Sequence, residues 1–328
     1  MKFQSSVHPS TMHSGRSLGI LQALVSGIGF GFLGIFGKWA YQAGLSPGAL
    51  LTLRFLFSST FMFLGLLMLR PRWLRVSWTQ ALRASVLGVF GYAVFASCYF
   101  EALSGLSASL TVLLLYTYPI AVVAGARFFL KERVSRKKLL LLPLALFGLL
   151  LLLWGELVIR NPSSVLFGLG SAVFYAFYIL ASSHFLRGPD PETMHPISAA
   201  FYVQLSAGIF LSFLHLHEPG VVLKQLSIAW PSVVGIAVIS TALPITLFLA
   251  SLTKLSTTEV SILSTAEPVT AVIASMIFLA ERMTGLQILG GLAVLLALIL
   301  MGQAGVEVDP ELDSRKQREA APAAAGSQ

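Results

Sequence analysis

Ten blocks of apolar residues, each about 20 residues long, divide most of the chain and constrain its fold more than any other feature. A helix rises about 1.5 Å per residue, so a block of this length covers the roughly 30 Å hydrocarbon core of a bilayer. Only 11% of the residues are charged, against about 25% in a typical soluble domain. The chain is therefore predicted to be an all-α membrane protein with ten transmembrane helices. The predicted spans are 18–41, 47–69, 80–100, 107–130, 136–155, 164–187, 196–217, 230–251, 257–280 and 284–302.

The Lys and Arg residues between these spans are distributed unevenly. If the N-terminus lies inside, the inner segments carry 16 of the 22 basic residues, whereas the outer ones carry only Arg160, Lys224 and Arg282. Cytoplasmic loops of membrane proteins are enriched in Lys and Arg. We therefore predict a multi-pass protein of the bacterial inner (plasma) membrane with both termini in the cytoplasm. The same asymmetry accounts for the net charge of +8, so no nucleic-acid partner is predicted.

The sequence aligns with itself, without a gap, when it is shifted by 149 residues. The strongest stretch pairs 99–133 with 248–282 and has ten identities in 35 positions. Five predicted helices precede the second copy, and an odd number forces that copy into the membrane upside down. Inverted repeats of this kind are common in secondary transporters. The predicted fold is thus two inverted five-helix repeats.

Two segments carry a resemblance to a known family. They are "FLKERVSRKKLLLLPLALFGLLLLL" in the first copy and "FLAERMTGLQILGGLAVLLALILMG" in the second, and both resemble the closing signature of the EamA domain. "LTLRFLFSS" at 52–60 is similar to the Arg-Phe segment near the start of the second helix of that domain. Two EamA domains occur in ten-helix members of the drug/metabolite transporter superfamily. The resemblance implies export of small metabolites, commonly amino acids, from a central cavity by alternating access.

The repeat and the composition predict four regions along the chain. A short cytoplasmic segment, 1–17, precedes the first EamA-like repeat at 18–155, and the second repeat occupies 164–302. The tail at 303–328 is polar, charged and rich in alanine. Such a composition is typical of disorder.

One carboxylate, Glu267, lies near the centre of the ninth predicted span, directly before Pro268. A charge at this depth is unfavourable by about 2.5–3.5 kcal/mol on insertion scales unless it is protonated or paired. Its partner in the first copy is Tyr118, before Pro119. Glu267 is predicted either to bind substrate or protons or to form an interhelical hydrogen bond, and Tyr118 either to line the same cavity or to pack beside Pro119.

Further candidate residues are polar or aromatic groups within the spans. Arg54 lies about two turns into the second span, where it either binds substrate or holds a neighbouring carbonyl or carboxylate. Lys38, at the end of the first span, is long enough to reach the headgroups instead. Aromatic rings with a polar tip suit a cavity for an organic solute, although they also serve packing. The full set of candidates is Glu267, Tyr118, Arg54, Lys38, Tyr92, Tyr99, Tyr175, Tyr178 and Ser264.

These features predict a transporter rather than an enzyme, with a small-molecule substrate, the lipid bilayer as its surroundings and protons as a candidate coupling ion. No "GxxxxGK[ST]" phosphate loop occurs, so direct ATP drive and other cofactors are not predicted. A sugar-nucleotide or phosphate-ester antiporter remains an alternative within the superfamily. A channel, or a metalloenzyme using "HLHE" at 215–218, is an alternative from another class.

Overall fold

The computed structural model describes residues 9–132, 134–155, 159–187, 193–215, 219–280 and 282–303, and this part of the chain is almost entirely helical. No strand forms within it, so the all-α prediction is confirmed. The helices are α1 Pro9–Gly31, α2 Leu33–Gln42, α3 Pro47–Leu69, α4 Trp78–Val86, α5 Val94–Gly105, α6 Ala108–Leu115, α7 Tyr118–Phe128, α8 Arg136–Leu152, α9 Ser163–Leu186, α10 Pro196–His215, α11 Pro219–Ala237, α12 Leu243–Leu252, α13 Thr257–Leu263, α14 Ala266–Leu279 and α15 Gly285–Gln303.

Nine helical stretches of the described chain are long and apolar enough to cross a membrane. They match nine of the ten predicted spans, and several combine two successive helices, such as α13 with α14. The fifth predicted span forms α8, a shorter helix of 17 residues. A tenth membrane crossing, for which α8 is the candidate, and the inverted orientation of the second copy stay predictions. The tail beyond residue 303 lies outside the described residues.

Large apolar side chains cover the outside of the bundle. Phe129, Phe213, Leu166 and Ile277, for example, are each more than two thirds exposed. Soluble monomers rarely expose so many large apolar side chains. It fits a surface that contacts lipid tails, and the chain is accordingly a multi-pass membrane protein.

Local geometry recurs at the 149-residue offset found in the sequence. Lys131 and Ala280 occupy equivalent positions and are both in the left-handed region, with φ of 53° and 55°. These are the only non-glycine residues of the described chain with positive φ. A π-helical turn also occurs in each copy, at Leu87–Ala93 and at Val238–Ala242. The two copies therefore share backbone irregularities as well as sequence.

Helix starts are specified by the same residue types in both copies. Ser107 and Ser256 are equivalent N-caps, and each hydroxyl accepts a hydrogen bond from the backbone N–H three residues later. Ser135 caps α8 in the same way, and Thr284 accepts from the Gln287 N–H at 3.3 Å before α15. Serine and threonine are favoured at this position because they satisfy an otherwise unpaired backbone donor.

The helices α8 and α15 pack closely because glycines lie where they cross. A Cβ built on Gly290 would clash with the backbone nitrogen of Leu152 and lie 2.5 Å from the Gly148 carbonyl oxygen. A Cβ on the adjacent Gly291 would meet only the Leu152 Cδ1 atom, at an ordinary 3.6 Å. Small residues at such crossings let two membrane helices approach with their backbones.

We expect Gly290→Ala to destabilise the fold, whereas Gly291→Ala will not. The new methyl at 290 meets the backbone of α8, which cannot give way as a flexible side chain can, so the helices must separate at a cost of about 1–3 kcal/mol. The same change at 291 keeps the crossing and gains up to about 1 kcal/mol of helix propensity. The apparent melting temperatures of the two purified variants in detergent test this. Equal melting temperatures would contradict the close crossing.

Candidate functional site

Two helix breaks in the middle of the bundle place Tyr118 and Glu267. Tyr118 is the first residue of α7, which restarts two residues after α6 ends at Leu115. Glu267 is the second residue of α14, just after α13 ends at Leu263. Each break precedes a proline, and proline fits the first turn of a helix because its missing N–H is not needed there. Each proline thus lies where a second helix begins, near the middle of the fourth or the ninth predicted span.

A cavity of about 380 Å³ lies beside these breaks. Its volume falls within the range usual for small-molecule sites. Among the lining residues are six of the predicted candidates, Arg54, Tyr92, Tyr99, Tyr118, Tyr175 and Glu267. The structure therefore brings together residues from α3, the third span, α7, α9 and α14, which are far apart in the sequence.

The cavity extends to one end of the bundle only. Its lining includes Arg282 and Met283, which precede α15, and Gln287 in the first turn of that helix. We call the end that carries these three residues the open end. No lining residue comes from the opposite end, which carries Arg16, Glu132, Arg187 and Glu259 and which we call the closed end.

Arg54 brings a positive charge to the cavity. The residue lies eight positions after the N-cap Ser46 of α3 and is only 5% exposed. Its guanidinium carbon lies 4.6 Å from the centroid of the Phe55 ring, in a cation–π contact. Within the described chain the guanidinium has no ion pair, and its Nε has no hydrogen-bond partner. Tyr92 is its polar neighbour, but no carboxylate of the described chain lies within ion-pair distance. A buried charge without such a counter-ion is unfavourable unless a ligand supplies one.

Glu267 brings a negative charge to the same cavity. It is half-buried in the first turn of α14, where the helix dipole favours an anion. The Tyr116 hydroxyl lies beside the carboxylate and has no other hydrogen-bond partner among the described residues. Glu267 and Arg54 do not form an ion pair with each other. The alternative for Glu267, an interhelical hydrogen bond, stays a prediction, and Tyr116 is its nearest candidate partner.

Aromatic rings form the remaining wall of the cavity. Tyr118 and Tyr175 meet edge to face, with ring centroids 4.7 Å apart, and the Tyr118 hydroxyl donates to the Ser261 carbonyl at 3.2 Å. Tyr92 contacts Phe95 and the Phe55 ring below Arg54, with centroid distances of 5.2 and 5.1 Å. Rings that pack against each other in this way give the cavity an apolar wall that carries hydroxyl groups.

Three predicted candidates do not line the cavity. Lys38 is exposed at the end of α2. Ser264 lies behind the wall, and its hydroxyl donates to the Val260 carbonyl at 2.8 Å. Tyr178 lies behind Tyr175, with the two rings stacked at 6.1 Å between centroids. The candidate metal motif at 215–218 falls largely on 216–218, outside the described residues.

Tyr116 lines the cavity although the sequence did not single it out. In a continuous helix Tyr116 and Tyr118 would point to different sides, because neighbours on one face are three or four residues apart. The break between α6 and α7 changes this direction, and the two rings approach to 5.6 Å between centroids. Pro119 is the only sequence signal of this break, and it marks the interruption without giving the direction of the Tyr116 ring.

Comparison with known proteins identifies the family. The model of the EamA-like transporter family matches the chain twice, at residues 17–154 and 162–303. The chain belongs to the EamA-like transporter family. The resemblance drawn from the closing signature of each repeat is thereby confirmed, and the protein is a transporter with two EamA copies.

Similar proteins carry compatible names. A Bacillus subtilis protein named uncharacterized transporter YcbK is 27% identical over 281 residues, which are 83% of this chain and 88% of that protein. An Archaeoglobus fulgidus protein, named only as an uncharacterized transporter, is 28% identical over 65% of this chain and 74% of its own length. A solved crystal structure covers 87% of this chain with a TM-score of 0.73 at 18% identity, which shows a shared fold.

Proposed function

We propose that this EamA-family transporter carries a small zwitterionic metabolite, such as an amino acid. The observation that supports this proposal is that Arg54 and Glu267 line the same cavity without forming an ion pair with each other. The Arg54 fork matches the geometry of a substrate carboxylate. Glu267 complements a substrate ammonium, and the tyrosines enclose the remainder of the solute.

We propose that the same carboxylate couples transport to protons. A substrate ammonium and a proton both neutralise Glu267, so they compete for one site. When the substrate leaves from the open end, protonation of Glu267 would remove the unfavourable charge for the return step. This exchange would let a proton gradient drive the solute outward by alternating access. The orientation rests on the Lys and Arg asymmetry, which places the closed end in the cytoplasm.

Alternating access is supported by the repeated architecture. If the second copy is inverted, as five preceding helices require, the two copies can exchange conformations and so open the cavity to either side. Helix breaks at equivalent positions, before Pro119 and Pro268, give both copies a point at which they can bend.

Counterflow in proteoliposomes tests the substrate class. We expect saturable exchange of at least one amino acid, and at least about tenfold weaker competition by its amide or by the matching acid without the amino group. Each analogue leaves one buried charge of the site unpaired. A binding site rejects such analogues most strongly. The assay follows uptake of labelled amino acids with unlabelled solute inside, with and without a pH gradient.

The rival functions predict other outcomes of this assay. A phosphate-ester antiporter would exchange sugar phosphates, which need several converging cations, whereas only Arg54 and Arg282 are basic among the lining residues. A channel would show flux without saturation or counterflow. Equal competition by the zwitterion and both analogues would contradict the two-charge site.

A further inference from the structure

The region between the cavity and the closed end is buried, yet it contains polar groups without partners. The Ser182 and Tyr178 hydroxyls lie beside each other on one face of α9, and neither has another hydrogen-bond partner among the described residues. The Thr258 hydroxyl, near the start of α13, is in the same situation. Buried polar groups are normally satisfied, so a group of exceptions needs an explanation.

Two of these groups, Tyr178 and Ser182, lie along α9 between the cavity and the closed end. Tyr175 lines the cavity, and Tyr178 stacks against it one turn further along. Ser182, which is 0% exposed, follows another turn later. Arg187 comes five residues after Ser182, about 7 Å along the helix axis, at the closed end.

Arg187 belongs to a set of contacts around Glu132 that joins the two EamA copies. One carboxylate oxygen of Glu132 accepts from Arg187 Nη1 and from the Thr257 backbone N–H, each at 3.3 Å. The other oxygen accepts from the Thr257 hydroxyl at 2.8 Å. Arg187 Nε also donates to the Leu252 carbonyl. Glu132, from the first copy, therefore ties the ends of α9 and α12 to the start of α13.

A second carboxylate ties further helices together at the same end. Glu259 pairs with Arg16 of α1 at 2.9 Å and with Lys138 of α8 at 3.4 Å, and it also accepts from the Ser256 N–H and hydroxyl. Arg16 in turn donates to the Gly302 carbonyl at 3.0 Å. The two sets of contacts close this end of the bundle with charges that are mostly shielded from solvent.

The 149-residue offset relates this buried region to the open half of the cavity. Five residues that line the cavity have, at the equivalent position of the other copy, a buried residue with a hydroxyl group. Leu33, Gly34, Tyr92, Val112 and Leu115 correspond in this way to Ser182, Ser183, Thr241, Ser261 and Ser264. Gln287 at the mouth corresponds to Lys138, one of the partners of Glu259. If the two copies exchanged conformations, the cavity would open toward the closed end, and these hydroxyls would then line its wall.

We propose that the second half of the transport passage runs from the cavity past Tyr178 and Ser182 to the closed end, and that Glu132 holds it shut by binding Arg187 and Thr257. The unpaired hydroxyls are then satisfied by water when the passage opens. This proposal rests on the transport function proposed above, since a closed passage has a role only in a protein that opens to both sides.

Cysteine labelling tests the position of the passage without a known substrate. The test protein carries Ser182→Cys in a Cys98→Ala background, which removes the single native cysteine. We expect a small water-soluble methanethiosulfonate reagent to modify it slowly in permeabilised proteoliposomes. Adding Glu132→Gln will raise the modification rate at least tenfold, because the amide no longer attracts Arg187 and the closed end opens more often.

Ser171→Cys in the same two backgrounds is the matched control. Ser171 is equally buried on the same helix, but its hydroxyl donates to the Gly168 carbonyl at 2.6 Å. It lies eleven residues before Ser182, about 16 Å along the helix axis and on the far side of Tyr175 from the closed end. Its labelling rate should not change. Thr257→Val, which removes only the hydroxyl that binds Glu132, must reproduce the effect and serves if Glu132→Gln does not fold.

Each result decides one way. An unchanged rate at Ser182→Cys, or an equal rise at both positions, would overturn the proposed passage. Labelling does not depend on which solute is carried, so a negative counterflow panel together with selective labelling would contradict the zwitterion proposal alone. Counterflow without selective labelling would contradict only the route and its lock.

Discussion

Arg54→Gln is expected to weaken binding of the best zwitterionic substrate at least about 30-fold while leaving the empty protein as stable as the wild type or more so. Loss of one partner of a buried, hydrogen-bonded charge pair removes about 2–5 kcal/mol of binding free energy. In the empty cavity, however, Arg54 has no ionic partner among the described residues. Removing an unpaired buried charge relieves an unfavourable term. The measurements are radioligand binding and the apparent melting temperature of the purified variant.

Weaker binding together with unchanged or higher stability would distinguish a role of Arg54 in binding from a role in holding the structure. If Arg54 held neighbouring groups in place, its replacement would lower the melting temperature together with affinity. Arg127→Gln is the matched control, because Arg127 is exposed on α7 and does not line the cavity. We expect it to keep wild-type affinity. A destabilised Arg54→Gln protein with unchanged affinity would contradict the proposed carboxylate site.

The helical architecture followed from the sequence because membrane insertion imposes simple rules. A span needs about 20 apolar residues, and every backbone polar group must be satisfied within a helix. Nine of the predicted spans accordingly appear as long apolar helices. The match of two EamA copies likewise agrees with a repeat that is visible as a 149-residue offset.

The interior of the bundle was less predictable, because it depends on where helices break. A continuous ninth helix would have placed Ser264 and Glu267 on one stripe, but the chain turns between α13 and α14. Ser264 therefore lies behind the wall, and Glu267 enters the first turn of a new helix. The corresponding break at Tyr116 brought an unpredicted tyrosine into the cavity. Proline shows that a helix is interrupted but does not fix the direction of the next side chains.

Arg54 and Glu267, the two charged residues deep in the cavity, both lie where the copies differ. Glu267 corresponds to Tyr118, and Arg54 corresponds to Val203, which is fully buried. Shared positions, such as the paired N-caps and the paired residues of positive φ, specify the scaffold. A symmetric scaffold can open to both sides, whereas an asymmetric pair of charges gives the substrate a single orientation. This division supports Arg54 and Glu267 as the residues that determine what is carried.

Glu267→Gln is expected to abolish accumulation driven by a pH gradient while exchange of solute for solute continues with weaker binding. A gradient of one pH unit supplies about 1.4 kcal/mol per proton, enough for about tenfold accumulation if one proton moves per solute. Glutamine cannot take up or release that proton, so the accumulation ratio should fall to one. It retains a carbonyl that accepts a hydrogen bond from the substrate ammonium, so binding is weakened by the lost charge rather than eliminated.

Measuring both quantities in the same proteoliposomes separates coupling from binding. Glu101→Gln is the matched control, because Glu101 is exposed on α5 and does not line the cavity. It should accumulate solute like the wild type. A Glu267→Gln protein that still accumulates tenfold would place proton coupling elsewhere, even if its affinity were reduced. Unchanged affinity together with lost accumulation would instead separate the two roles, leaving Glu267 to carry protons while another group binds the ammonium.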